Sequence, residues 1–194
     1  MRHTKTSSKV RQKFKIEVEF KTPENAVEFC QTDLKRRCPE LESFILTDVD
    51  AAYEYACRVI HGPWPEAEKI ILAEADTIHA WMYAAFVLKR RWREAEPLIL
   101  SNAGSTYQYA CYALYQKRFK TGEPIIATDR AIAKLYMVNC LHAHSHYTCP
   151  AHASFYKLCL DNGTLTVDEV PSKLHHEKVL AVHIFKDKVL EIRK

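Results

Sequence analysis

Between Cys140 and His152 the chain reads Cys-Leu-His-Ala-His-Ser-His-Tyr-Thr-Cys-Pro-Ala-His, which places four of its ten histidines and two of its seven cysteines in one short stretch. Thiolate sulfur and imidazole nitrogen are the donors that a tetrahedral zinc ion takes. Cys149 and His152 make a Cys-x-x-His half-site, and Cys140 with His142 or His144 would complete the set. Zinc is the only cofactor that the sequence raises. The spacing matches no zinc-finger pattern, and the competing reading is a polar, His-rich connection with Cys140 facing a helical core. Cys149 beside a histidine also outlines a nucleophile and its base, but no third group or oxyanion donor accompanies it.

Cations form the second candidate. Lys35-Arg36-Arg37, Lys89-Arg90-Arg91 with Arg93, and Lys117-Arg118 with Lys120 recur at corresponding places along the chain. Stacked helices would bring such clusters to one edge at about 10 Å per layer. A row of that kind can follow a phosphate backbone or meet an acidic partner. Against this, cations at helix C-termini are favourable in their own right. Glu40, Glu66, Glu94 and Glu96 follow closely and would neutralise part of the row, and Gly62-Pro63 interrupts it. Net charge is +4, with six cations and no acid in the first fifteen residues, so a basic leader precedes a near-neutral body. The acid pairs Glu66/Glu68 and Glu94/Glu96 recur at helix starts and read as capping carboxylates rather than as general acids and bases.

These clusters are set by a repeat. Tyr53–Leu72 has a close copy in Trp81–Leu100, a third in Tyr107–Ile126 and a weaker one in Val27–Leu46. The aromatic position runs Cys38, Trp64, Trp92, Phe119, at spacings of 26, 28 and 27 residues. That length suits two short helices and two turns. Each first half carries apolar residues at helical spacing, such as Tyr55, Ala56, Val59 and Ile60. An aromatic residue follows, then an acid-rich turn opened by proline in Pro65-Glu66-Ala67-Glu68, as suits a helix N-terminus. Ile70-Ile71-Leu72 buries the second helix. Tyr53, Tyr55, Tyr83, Tyr107, Tyr109 and Trp81 read as packing between units. A degenerate fifth unit is expected from Ile132, Leu135, Tyr136 and Val138, with a second helix over 150–160 ending at Asn162-Gly163. A hairpin through Phe155–Leu160 is the alternative.

The ends differ. Phe14–Phe20 alternates apolar and charged residues, as a half-buried strand does, and Val179–Phe185 with Val189–Arg193 around Lys186-Asp187-Lys188 reads as a hairpin. The expected fold is α+β and predominantly helical: a short α-solenoid of four to five antiparallel helix pairs, with a small sheet from both ends capping it. The expected layout is a flexible basic leader over 1–12 and one domain over 13–194. Within that domain the strand covers 13–21, the repeats 22–163 and the C-terminal strands 164–194.

The units at Tyr53 and Trp81, with Tyr-x-Tyr-Ala-x-x-Val-Ile-x-Gly-x-Trp-Pro-Glu-Ala-Glu at their core, resemble a tandem repeat of uncharacterised tailed-bacteriophage proteins over residues 25–127. The resemblance implies a phage origin, an interaction scaffold and a bacterial host cytoplasm, and supplies no catalytic residue. Neither G-x-G-x-x-G nor G-x-x-x-x-G-K-[ST] occurs, and no apolar run is long enough to cross a bilayer. The expectation is a non-enzymatic helical-repeat protein that binds a protein partner, with RNA or DNA binding through the basic row as the alternative and a zinc-dependent site at Cys149/His152 as the third reading.

Overall fold

The computed structural model describes residues 19–142, 152–181 and 183. Five helix pairs occupy most of them: α1 (Pro23–Phe29) with α2 (Pro39–Ile45), α3 (Val49–Tyr55) with α4 (Pro65–Ala73), α5 (Thr77–Met82) with α6 (Glu96–Ile99), α7 (Ala103–Gln108) with α8 (Glu123–Ile126), and α9 (Arg130–Asn139) with α10 (Ala153–Asp161). The first helices pack in series, α1 on α3, α3 on α5, α5 on α7 and α7 on α9; α2, α4, α6 and α8 each pack against the first helix of their own unit, and α10 packs on α8.

Every first helix starts on a side-chain cap. Thr22, Asp48, Asp76, Asn102 and Asp129 accept backbone N–H groups of the opening turn, at 2.8–2.9 Å for the shortest bond of each of the last four and 3.4 Å for Thr22. Such a cap satisfies donors that the helix cannot pair internally. The first four of these helices end alike. Each widens into a π-helical turn, Cys30–Leu34, Ala56–Ile60, Tyr83–Leu88 and Tyr109–Ala113. The next residues turn left-handed: Lys35, His61 and Lys89 at φ of 50°, 56° and 52°, with Tyr115 and Gln116 at 56° and 59°. Small side chains let the chain pass close. A Cβ on Gly122 would lie 2.5 Å from both Phe119 and Thr106.

One bonding pattern recurs between units. The aromatic position before each second helix has a buried backbone N–H without a side-chain cap of its own. A tyrosine from the next unit's first helix accepts it: Cys38 N–H to Tyr55 at 2.7 Å, Trp64 to Tyr83 at 2.7 Å, Trp92 to Tyr109 at 2.8 Å and Phe119 to Tyr136 at 2.7 Å. The same hydroxyl donates to a glutamate of the preceding unit's second helix: Glu42 at 3.3 Å, Glu68 at 3.4 Å, Glu96 at 3.1 Å and Glu123 at 3.4 Å. Each tyrosine ring then packs on the aromatic of its own unit, Tyr55 on Trp64, Tyr83 on Trp92, Tyr109 on Phe119 and Tyr136 on Phe155, with centroids 5.1–5.6 Å apart. Burial pushes all four phenols above their ordinary range.

The expected sheet is absent from the described residues. Most of the N-terminal strand assigned to 13–21, and the leader over 1–12, lie outside them. Glu19 and Phe20 have no regular structure, and Phe20 packs its ring on Phe29 of α1 at 5.2 Å. The C-terminal segment forms 3-10 turns, Val167–Glu169, Ser172–Leu174 and Lys178–Leu180, where strands were assigned over 164–194. Its buried residues are Leu165, Val170, Leu174 and Leu180, four to six apart. That spacing suits turns laid over a helical surface rather than the two-residue period of a strand. The Lys178–Leu180 turn packs on α10, so the covering role expected of a sheet falls to these turns. Residues 184–194, the rest of the expected hairpin, lie outside the described residues. Phe155–Leu160 is helical, which removes the alternative hairpin, and Gly163 ends that region at φ 68°.

Two outcomes follow. Tyr83→Phe strands the buried N–H of Trp64 without an acceptor and should lower unfolding free energy by about 1–3 kcal/mol in urea titration. The second concerns Glu169, which bonds Arg130 and Lys134 of α9. Lys134, helped by the Thr166 N–H, holds its carboxyl down at about 2. The resulting stability is present above the unfolded carboxyl range and lost as pH falls toward 2. Glu169→Gln should therefore flatten the stability profile across that acid window while leaving its neutral limb parallel to that of the native chain.

Candidate basic groove

The repeated basic clusters divide into two chemical roles. One arginine of each cluster, directly before the aromatic position, belongs to the relay between units. Arg37 grips Glu42 through Nε at 2.6 Å and a terminal nitrogen at 3.0 Å. Arg118 does the same to Glu123 at 2.6 and 2.9 Å, and Arg91 holds both oxygens of Glu96. Glu96 and Glu123 are buried at 8% and 4% exposure, so these pairs are enclosed on the carboxylate side. Arg91 also sits over the Phe119 ring at 5.8 Å, and Arg118 reaches Ser154 of α10 at 2.9 Å. Glu42, Glu68, Glu96 and Glu123 are thus acceptors for tyrosine and, where present, arginine, so Glu68 and Glu96 do more than the helix capping expected of them from sequence. The Trp64 copy has Pro63 in the arginine position, and Glu68 keeps only its tyrosine.

The remaining cations are exposed. Lys89, Arg90, Lys117 and Lys120 line one open groove of about 570 Å³ between the third and fourth units, walled also by Tyr115, Thr121 and the paired Arg91 and Arg118. Tyr115 is 64% exposed, and its hydroxyl donates to the carbonyl of Lys89 at 2.9 Å, closing one end of the groove. Lys35 and Arg36 lie apart from this site, in a smaller recess of about 210 Å³ shared with Arg58 and His61. Arg93 begins the 3-10 turn Arg93–Ala95 outside both. The structure therefore joins two of the three clusters. Arg58 supplies a cation, with the His61 ring beside it, where Gly62-Pro63 breaks the sequence pattern, although Arg58 also pairs with Glu54 at 2.9 Å.

The helical segments that lead to Lys89 and Tyr115 carry a cluster of rings. Trp81 stacks on Tyr112 at 5.8 Å with planes 24° apart, and Phe86 packs on both at 6.1 and 6.0 Å. Phe86 and Tyr112 are 45% and 51% exposed. Nothing in the sequence separates these rings from the buried Tyr55, Tyr83 and Tyr109. The one usable signal is register: Trp81 falls two positions before its unit's relay tyrosine, while Phe86 and Tyr112 fall three after theirs.

Of the expected metal ligands, Cys140, His142 and His152 lie among the described residues. Cys140 is buried, and its sulfur lies 3.7 Å from that of Cys111. His142 is exposed, at φ 52°, and His152 is buried at the start of α10, where burial and Arg118 lower its pKa. Cys149 lies outside the described residues. Among the described residues no three His, Cys, Asp or Glu side chains come together as a metal site, and no helix is long and apolar enough to cross a membrane. No protein-family model, curated protein or solved structure matches the chain.

The division of labour is testable by stability alone. Arg118→Ala leaves a buried carboxylate without its counter-ion and should cost about 2–4 kcal/mol. Lys89→Ala and Arg90→Ala should stay within about 0.5 kcal/mol of the native chain. Parallel urea titrations read both.

Proposed function

We propose that this chain is a non-enzymatic helical-repeat interaction protein, that the groove between its third and fourth units is its binding surface, and that the ligand is single-stranded nucleic acid. The observation that carries the reading is the convergence of Lys89, Arg90, Lys117 and Lys120 on one open groove with the exposed ring of Tyr115. Cations that track a backbone, with aromatic faces for bases beside them, are what single strands require. Phe86 and Tyr112 extend the ring surface one helical turn before Lys89 and Tyr115. The non-enzymatic part rests on Glu96 and Glu123, the buried acids, whose oxygens are occupied by arginine and tyrosine. The sequence resemblance supplies the setting, a phage-encoded protein at work in a bacterial cytoplasm.

A protein partner is the second reading, favoured by the ring cluster of Trp81, Phe86 and Tyr112. Exposed, mutually packed aromatics are what protein interfaces bury as anchors.

Fluorescence anisotropy with labelled RNA and DNA oligonucleotides distinguishes the two. Replacing Lys89, Arg90, Lys117 and Lys120 by glutamate should weaken binding by at least about 100-fold and flatten the dependence of log K on log salt by roughly 0.7 per lost contact. Unchanged affinity in a folded variant removes the groove from the function. Measurable native binding abolished only by Trp81→Ala with Phe86→Ala moves the site to the rings.

A further inference from the structure

Cys111 lies in the π-helical turn Tyr109–Ala113, and Cys140 is the C-cap residue of α9 in the next unit. Their sulfurs are 3.7 Å apart. Cys111 is half-buried and Cys140 buried, so one thiol of the pair is open to small reagents while the other backs it from within. A disulfide would bring the two sulfurs from this contact to about 2.05 Å. We propose that Cys111 and Cys140 form a redox-active dithiol, with Cys111 the attacking thiol and Cys140 the resolving one, and that a hydroperoxide closes them to a disulfide.

The chemistry balances with hydrogen peroxide as the oxidant. The Cys111 thiolate attacks one peroxide oxygen, the O–O bond breaks, and Cys111 becomes a sulfenic acid as hydroxide leaves. The Cys140 sulfur then attacks the Cys111 sulfur and forms the S–S bond. The sulfenic oxygen departs as water, taking up the Cys140 proton. Overall two thiols and one peroxide give one disulfide and two waters.

The surroundings assign the roles. Cys111 is the half-buried sulfur that a peroxide reaches and Cys140 the buried one behind it, and the Tyr107 hydroxyl hydrogen-bonds to Cys111. Asn139 donates to the Tyr107 hydroxyl at 2.6 Å and holds it in place. The repeat supplies an internal comparison. Cys57 occupies the position of Cys111 two units earlier and has Tyr53 in the position of Tyr107, but Val87 stands where the second thiol would be. There burial wins, and the Cys57 thiol is raised despite its tyrosine. Cys30 and Cys38 are fully buried, and Cys30 is pushed up to about 12, chiefly by burial. Among these thiols, the pair at Cys111 and Cys140 alone combines access with a second sulfur within reach.

The test uses the reduced full chain, treated with equimolar hydrogen peroxide and quenched with an alkylating agent. Loss of two thiols with a mass decrease of two hydrogens, and a non-reducing peptide map linking Cys111 to Cys140, is the expected result. Dithiothreitol should reverse it. In Cys140→Ser, dimedone should label Cys111, and in Cys111→Ser the rapid thiol loss should vanish. The native chain gives the primary readout, so neither variant need fold for the proposal to be tested. A link between Cys30 and Cys38 forming as fast, oxidation spread evenly over the cysteines, or no link between Cys111 and Cys140 overturns it.

Discussion

A buried backbone N–H at the start of each second helix governs how the units assemble. A helix leaves its first N–H groups unpaired, and at Cys38, Trp64 and Trp92 no local side chain accepts them. The acceptor comes from outside, as a tyrosine hydroxyl 17 to 19 residues further along. That hydroxyl has one proton to give, and it donates to a glutamate of the unit whose N–H it has just accepted. In three of the four junctions an arginine closes the circuit by gripping the glutamate. Each unit therefore needs its successor for hydrogen bonds as well as for apolar cover. The tyrosine ring stacks on the aromatic of its own unit, so a single side chain fixes both the junction behind it and the helix pair it belongs to. The fifth unit has no successor in the repeat, and the 3-10 turns with Leu165, Val170, Leu174 and Leu180 cover it instead.

Much of this was legible in sequence, but not the circuit. The period, the aromatic position and the proline-led second helices follow from side-chain types at fixed spacing. Tyrosine, glutamate and arginine were visible as recurring letters, and their roles were not, because the bonds run between units rather than within the twenty-residue copy. Glu68 and Glu96 were accordingly read as capping carboxylates and the arginines as surface charge. The caps Thr22, Asp48, Asp76, Asn102 and Asp129 recur at the same period just before each first helix. Their polar types were the available signal, masked by the aromatic residues on which the repeat was aligned. The C-terminal error has a different cause. Val179–Phe185 is an apolar, strand-like run, but Pro171 and the 3-10 turns that follow place Leu174 and Leu180 against a helical surface, where tertiary packing outweighs strand propensity.

The basic groove was half legible for a related reason. Sequence placed all the cations in one class because each cluster is contiguous. In the fold, all six line the groove, but adjacent residues of one cluster face different demands: Arg91 and Arg118 have their charge paired with buried carboxylates, while Lys89, Arg90, Lys117 and Lys120 turn theirs to the solvent. Only geometry separates a charge that balances another from a charge left to the solvent, and the first kind contributes to stability while the second contributes to the field met by a ligand.

The turn at the end of each first helix carries this argument further. Lys35, His61, Lys89, Tyr115 and His142 all have left-handed backbone, with φ between 50° and 56°. Glycine adopts that conformation freely, whereas other residues meet a steric penalty of about 1 kcal/mol. The chain contains four glycines, and none stands at these five equivalent positions. Retaining a side chain five times against that penalty makes little sense for a turn whose only task is to reverse the chain. It makes sense where the turn displays a side chain, and Lys89 and Tyr115 line the principal groove while Lys35 and His61 line the smaller recess. The repeat thus separates its duties by position: the tyrosine relay holds the units together and tolerates little change, and the strained turn beside it, free of that relay, varies from one unit to the next and sets the chemistry of the edge.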